Sequence, residues 1–320
     1  MVLVPYICIC EQQCQSHPIK DGERCVCSPS FISFMRFLMK KRKILIFAVV
    51  AVIIAASAGF LHWNNNSLTV GSFTVSPSGL PAEFDGFRIV QISDLHNKDF
   101  GSGLSDRIAA LSPDIIVITG DIIDCHRTDT AKAFDFLGDI ASVAPIYYVP
   151  GNHEQRLGEV YEGFLQKAEQ IGVISAAGKT SVIERNGAEI CLAGIEDLHF
   201  FGSSVMDENK IRFAAELERL KTETSGRTSI LLSHRPELLD MYAKNGFDVV
   251  FAGHAHGGQI RLPLIGGIFA PAQGLFPDYA EGLCEKGETS MIVSRGLGNS
   301  VFPFRIFNRP EIVLCELQAE

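Results

Sequence analysis

The feature that most constrains this chain is a repeated pairing, in which a short apolar run is followed at once by a cluster of Asp, His or Asn. The runs Phe87–Ile92, Ile115–Thr119, Ile146–Val149, Ser229–Leu232 and Asp248–Phe251 lead into Ser93-Asp94-Leu95-His96, Gly120-Asp121, Gly151-Asn152-His153-Glu154, His234 and Gly253-His254-Ala255-His256. Ile190–Ala193 and Met291–Val293 read as further strands. Apolar residues in succession predict strands buried on both faces. Helical stretches separate them. Thr130–Ala141 carries Phe134, Leu137, Ile140 and Ala141 on one stripe, Leu157–Gln170 and Lys210–Lys221 are similar, and Pro236 opens a helix running to Lys244. The alternation predicts an α/β domain with helices outside the sheet. Leu68–Val75 reads as a hairpin of two short strands around Gly71, and Asn64–Ser67 as a polar linker.

Ligands of α/β sheets bind beyond the carboxyl ends of the strands, so five such ends can converge on one point. Five of the nine histidines lie in these clusters, which packing alone explains poorly because each buried polar group needs a partner. Gly120, Gly151 and Gly253 permit tight turns beside them. Asp94 and His96 are expected to project together, since residues two apart share a face of extended chain, and His254 and His256 repeat the arrangement.

Toward the N-terminus, Lys40, Lys41, Arg42 and Lys43 precede a run from Ile44 to Leu61 that is apolar except for Ser57. Its eighteen residues span about 27 Å as a helix, near the lower limit for crossing a bilayer. The basic block places the preceding residues in the cytoplasm and everything after Leu61 outside, with Trp63 at the interface. Ala56-Ser57-Ala58 also resembles a cleavage site, which would give an exported soluble form, but the length of the run favours an uncleaved single-pass anchor in the cell membrane. Five cysteines (Cys8, Cys10, Cys14, Cys25, Cys27) crowd residues 1–34 without the paired spacing of a zinc site. Met35 and Met39 each open a conventional export sequence, so 1–34 reads as an upstream-start artefact or an unstructured extension, 35–63 as the membrane segment and 64–320 as the catalytic domain. The formal charge of −9 argues against non-specific nucleic-acid binding.

The five blocks, in order, resemble the calcineurin-like metallophosphoesterase signature. Leu80-Pro81, Gly86-Phe87-Arg88-Ile89, Gly257-Gly258-Gln259, Arg295-Gly296-Leu297-Gly298 and Asn308-Arg309-Pro310-Glu311 resemble its membrane-associated bacterial branch, related to hydrolases of UDP-2,3-diacylglucosamine. The likeness runs from Leu68 to Leu317. It implies a four-layer α/β-β/α sandwich of two mixed sheets. It also implies two divalent metal ions, one held by Asp94, His96 and His256, the other by Asn152, His234 and His254, with Asp121 bridging. Mixed oxygen and nitrogen donors suit manganese, iron or zinc. A metal-activated hydroxide would then attack a phosphodiester or pyrophosphate bond, with His153 assisting the leaving oxygen. Asp124 and Glu154 are expected to orient the ligands from behind, and Arg295 either to contact substrate phosphate or to sit in an ordinary salt bridge. His126 and Cys125 read as a surface loop, with lining of the pocket as the alternative, and His199 is not expected as a ligand. The substrate implied is a phosphoester, lipid-linked by analogy with the branch. A broad phosphodiesterase or nucleotidase on soluble substrates stays open, as does a non-catalytic, membrane-tethered metal-binding module. Leu262–Phe276 reads equally as a lipid-facing flap or as a hairpin contributing to the core.

Overall fold

The computed structural model describes residues 29–202, 205–299 and 302–319. Contacts within the chain divide it into a unit ending at Phe60 and a unit Leu61–Glu320. The first unit contains most of helix α1 (Pro29–Asn66). Ser33–Asn66 is long and apolar enough to cross a membrane, and none of its most apolar window is buried, unlike the core helix of a soluble protein. The five early cysteines lie outside the described residues.

In the second unit the strands are β1 (Thr69–Val75), β2 (Phe87–Ile92), β3 (Ile115–Thr119), β4 (Ile146–Val149), β5 (Val173–Ser175), β6 (Lys179–Arg185), β7 (Ala188–Gly194), β8 (Ser229–Leu232), β9 (Val249–Ala252), β10 (Arg261–Leu262), β11 (Gly266–Gly267), β12 (Phe269–Ala270), β13 (Gly274–Leu275), β14 (Gly282–Lys286), β15 (Thr289–Val293) and β16 (Glu311–Leu317). The helices are α2 (Ser102–Ala110), α3 (Thr130–Ile140), α4 (Asn152–Gln155), α5 (Glu159–Gln170), α6 (Met206–Glu223) and α7 (Leu239–Asn245).

Two six-stranded sheets form, ordered β1-β16-β2-β3-β4-β5 and β14-β15-β9-β8-β7-β6. Both are mixed: β16 runs against β2 in the first, and β14 and β6 run against their neighbours at the edges of the second. Side-chain alternation sorts the apolar runs into layers. Phe87, Ile89, Ile115 and Val117 meet Ile190, Leu192, Ile230 and Phe251 between the sheets. Val90, Ile92, Ile116 and Ile118 instead pack against Leu104, Ile108, Leu137 and Phe164 of the helices outside the first sheet. Leu231, Val250 and Val293 do the same with Phe213, Leu217 and Tyr242 outside the second. The expected four-layer sandwich is therefore present, and its double-sided strands account for the unbroken apolar runs.

Two local expectations fail, and one open alternative narrows. Leu68–Val75 is one strand, paired along its length with β16, and no turn occurs at Gly71. A Cβ there would come within 2.4 Å of Glu311 Oε1, so Gly71 serves close approach and not reversal. Asn64–Ser67 is not a linker, because α1 continues through Asn66. Asn65 is buried, and its Oδ1 accepts from Asn299 Nδ2 (3.0 Å) and the Arg305 backbone N–H (3.1 Å), which holds polar residues in the helix. Leu262–Phe276 forms two small hairpins, β10–β11 and β12–β13, and of its residues only Gly267 and Ala270 are buried. It therefore adds little to the core.

Candidate metal centre

β2, β3 and β4 are parallel in one sheet, and β8 and β9 are parallel in the other. Buried Gln91 ties the two sheets beside the site, donating through Nε2 to Thr119 Oγ1 (2.9 Å) and to the Ala252 carbonyl (2.8 Å). The strand ends deliver Asp94, His96, Asp121, Asn152, His153, His234, His254 and His256 into one buried cluster.

The local backbone differs from the extended geometry expected of it. Asp94, His96, Asp121, His254 and His256 all have positive φ, between 48° and 65°. They sit beyond the strands in the left-handed region, which costs a residue bearing a side chain roughly 1–2 kcal/mol. Asp94 and His96 therefore meet because each is turned inward, not because they share a strand face. The glycines supply room more than rotation. Only Gly120 among the three has positive φ, while a Cβ on Gly253 would lie 1.9 Å from Ser93 Oγ and 2.6 Å from Asp94 Oδ2.

Two donor sets emerge. His96 Nε2 and His256 Nε2 approach to 3.2 Å, with Asp94 Oδ1 3.4 Å from the latter. His254 Nδ1 and His234 Nε2 lie 3.1 Å apart, and Asn152 Oδ1 is 3.2 Å from His234 Nε2. Asp121 Oδ2 stands between the sets, 3.4 Å from His234 Nε2 and 3.7 Å from His96 Nε2. A third grouping within ligand reach joins His96 to Asp124 and His153.

Burial lowers His96 to about 4 and drives His254 and His256 well below the usual imidazole range, so these rings are neutral with lone pairs to offer. Burial also raises Asp94 to about 6. His234 goes the other way: burial opposes its charge, but the charge and hydrogen bond of Asp121, together with Asp94 and Asp197, raise it to about 10. Neutral imidazoles around two buried carboxylates make a donor set suited to divalent cations, which would supply the positive charge this pocket otherwise draws from His234.

Behind the cluster, Glu154 accepts backbone N–H bonds from Asp121 (2.8 Å), Gly151 (2.9 Å) and Ile123 (3.0 Å), clamping two loops together. Asp124 accepts from the His126 N–H (2.8 Å) and lies 3.6 Å from His153 Nδ1. The Cys125 N–H donates to that Nδ1 (3.2 Å), which leaves the neutral ring's proton on Nε2, 3.9 Å from Asp121 Oδ2.

A cleft of about 260 Å³ opens over the cluster, and its walls include His126, His153, Arg156, His199, Arg235 and His254. Arg295 is not among its lining residues. It is held by Glu311 Oε1 (2.9 Å) and faces Glu281 at 3.5 Å, so its charge is already matched away from the cleft. The buried guanidinium at the cleft is Arg235, which pairs through two nitrogens with Asp197 and lies 3.1 Å from His254 Nε2. Sequence reasoning passed over Asp197 and Arg235. The signal lay in Glu196-Asp197 following β7, a sixth strand end, and in Arg235 adjoining His234.

Residues 87–258 match a family model described as calcineurin-like phosphoesterase. The chain belongs to the calcineurin-like phosphoesterase family. Among its relatives is a Bacillus subtilis (strain 168) protein named uncharacterized metallophosphoesterase YkuE, 32% identical over 266 residues that cover 77% of this chain and 84% of that one. Phosphodiesterase YaeI of Escherichia coli (strain K12) is 28% identical over 238 residues, covering 72% of this chain and 82% of that protein. A Danio rerio transmembrane protein with metallophosphoesterase domain is 29% identical over 249 residues, covering 73% of this chain and 53% of that one. As a calcineurin-like phosphoesterase, the chain is a metal-dependent hydrolase of phosphoric esters, and its His/Asp cluster lies where such chemistry needs it.

Proposed function

We propose that this calcineurin-like phosphoesterase cleaves phosphodiester or pyrophosphate bonds at a two-cation centre, outside the cytoplasmic face of the membrane its N-terminal helix crosses. The reading rests on Asp121 Oδ2, one carboxylate oxygen in contact with both donor sets. Asp94, His96 and His256 would hold one ion, Asn152, His234 and His254 the other, with manganese, iron or zinc fitting the donors. When bound, such ions lower the pKa of water and offset phosphate charge.

The chain's own groups do the rest. As water adds to phosphorus, the P–O bond to the leaving group breaks, the proton that the water gives up passes to the leaving oxygen, and the His153 Nε2–H donates a hydrogen bond to that oxygen as its charge builds. The Cys125 N–H fixes that tautomer, and burial keeps the ring neutral. Arg156, exposed on the cleft wall, is placed to meet a substrate phosphate.

The test uses membrane-impermeant bis-p-nitrophenyl phosphate on intact cells and on the purified full chain with Mn²⁺, with bound metal counted. Asp121→Ala should lose both metal and activity. His153→Ala should keep its metal and lose about 10²–10⁴-fold in kcat. Metal loss in His153→Ala would instead favour the His96–Asp124–His153 grouping, and hydrolysis only after cell lysis would refute the topology.

A further inference from the structure

A second cavity, of about 380 Å³, adjoins the metal centre, and its walls include His256, Ile260, Ile268, Phe269, Pro271 and Phe302. His256 and Pro271 also line the metal cleft, so a molecule held there by its phosphate has the cavity beside it. Among the described residues, the walls carry no Asp, Glu, Lys or Arg. Apart from His256, the one polar side chain among the described lining residues is Gln259, whose Nε2 is spent on the carbonyls of Phe302 (2.8 Å) and Phe304 (3.3 Å). A sugar or nucleobase would leave its donors and acceptors unmatched on such walls, whereas a hydrocarbon would not.

The apolar surface continues outward. Phe269 is opposite Leu275 in the β12–β13 ladder, on the same face, and Leu264, Ile265 and Phe276 stand exposed on the same two hairpins. The wall segment bearing Phe302 is moored to residues just past the apolar run, since Asn299 donates to Asn65 and Arg309 stacks over Trp63 at 4.6 Å. We infer that this cavity is a subsite for an alkyl chain carried by the substrate, so that the preferred phosphoester is an amphiphile. The inference rests on the phosphodiesterase reading above and names its substrate class.

The experiment places the full chain in phosphatidylcholine nanodiscs with Mn²⁺ and measures KM for p-nitrophenyl methyl, butyl and hexyl phosphate. KM should fall about fourfold for each methylene that becomes fully buried. In Phe269→Asp and Phe302→Ala the hexyl ester should lose this advantage while kcat on the methyl ester stays unchanged. Neither side chain belongs to the metal cluster, and both are about half exposed, so the methyl ester also reports an intact fold. A KM independent of chain length would overturn the inference. So would a chain-length effect that survives in both variants, which would reflect partition into the disc. If no ester is hydrolysed, the phosphodiesterase reading alone falls, and calorimetric titration with methyl and hexyl phosphate decides the subsite. Tighter hexyl binding supports it, and equal affinities overturn it.

Discussion

Replacing Asp197 with alanine should destabilise the domain through a guanidinium that is left behind. Asp197 is 1% exposed and Arg235 6%, and the carboxylate meets the guanidinium with both oxygens. Removing one partner of a buried pair costs about 3–5 kcal/mol, because the other charge stays out of water. Glu237 Oε1, 3.3 Å from Arg235 Nη1, is a partial substitute and argues for the lower end. At about 2–4 °C per kcal/mol for a domain of this size, Tm should drop by roughly 6–12 °C. Circular dichroism of the detergent-solubilised chain, with metal removed, would read it. Arg235 Nη1 also donates toward His254 Nε2 (3.1 Å), so a guanidinium displaced by the loss of Asp197 shifts that ring, and on the proposed assignment metal affinity should fall about 10–100-fold. The double variant Asp197→Leu/Arg235→Met removes both charges and should recover much of the lost Tm without restoring metal affinity. A drop in Asp197→Ala below about 2 °C with unchanged metal affinity would refute the reasoning, since both effects are derived from the same buried contact.

The same pair sets an acid limit. Burial alone would raise Asp197, but the charge and hydrogen bonds of Arg235, with the His234 charge and the His199 N–H, together hold the carboxyl below its usual value. A depressed folded-state pKa gives stability that is present above the unfolded value of about 3.9 and lost as pH falls through the folded one. Tm of the metal-free protein should therefore fall more steeply below about pH 4 in the wild type than in Asp197→Asn. Gly253→Ala should be destabilised by about 1–3 kcal/mol, because its methyl would collide with Ser93 Oγ at 1.9 Å. The backbone shift needed to relieve it moves Asp94, so Tm and bound metal should decline together, and an unchanged metal count would contradict this.

How far the sequence could be read depends on which physical term each stretch obeys. β2, β3, β4, β8 and β9 are buried on both faces, so hydrophobicity alone marks them, and their polar ends follow. β6 is an edge strand whose only buried residue is Ile183, and β14 has none, so neither carries an apolar run to notice. Gly71 and Asn65 misled for a related reason. One looks like a turn and the other like a linker, yet both are fixed by partners at Glu311, Asn299 and Arg305, more than 200 residues away. The residues that cluster were legible because each is local to a strand end. Arg235's pairing with Asp197 was not, because it depends on how β7 and β8 lie side by side.

The five left-handed residues at the metal centre also bear on how such a chain can change. At each of those positions glycine would adopt the same backbone with less strain, so the scaffold and the chemistry favour opposite residues. The sites where loss of function would relax the chain most are those whose side chains are proposed to hold the metals. A descendant released from catalysis would be free to gain stability by shedding those side chains, and it would keep the sandwich while doing so.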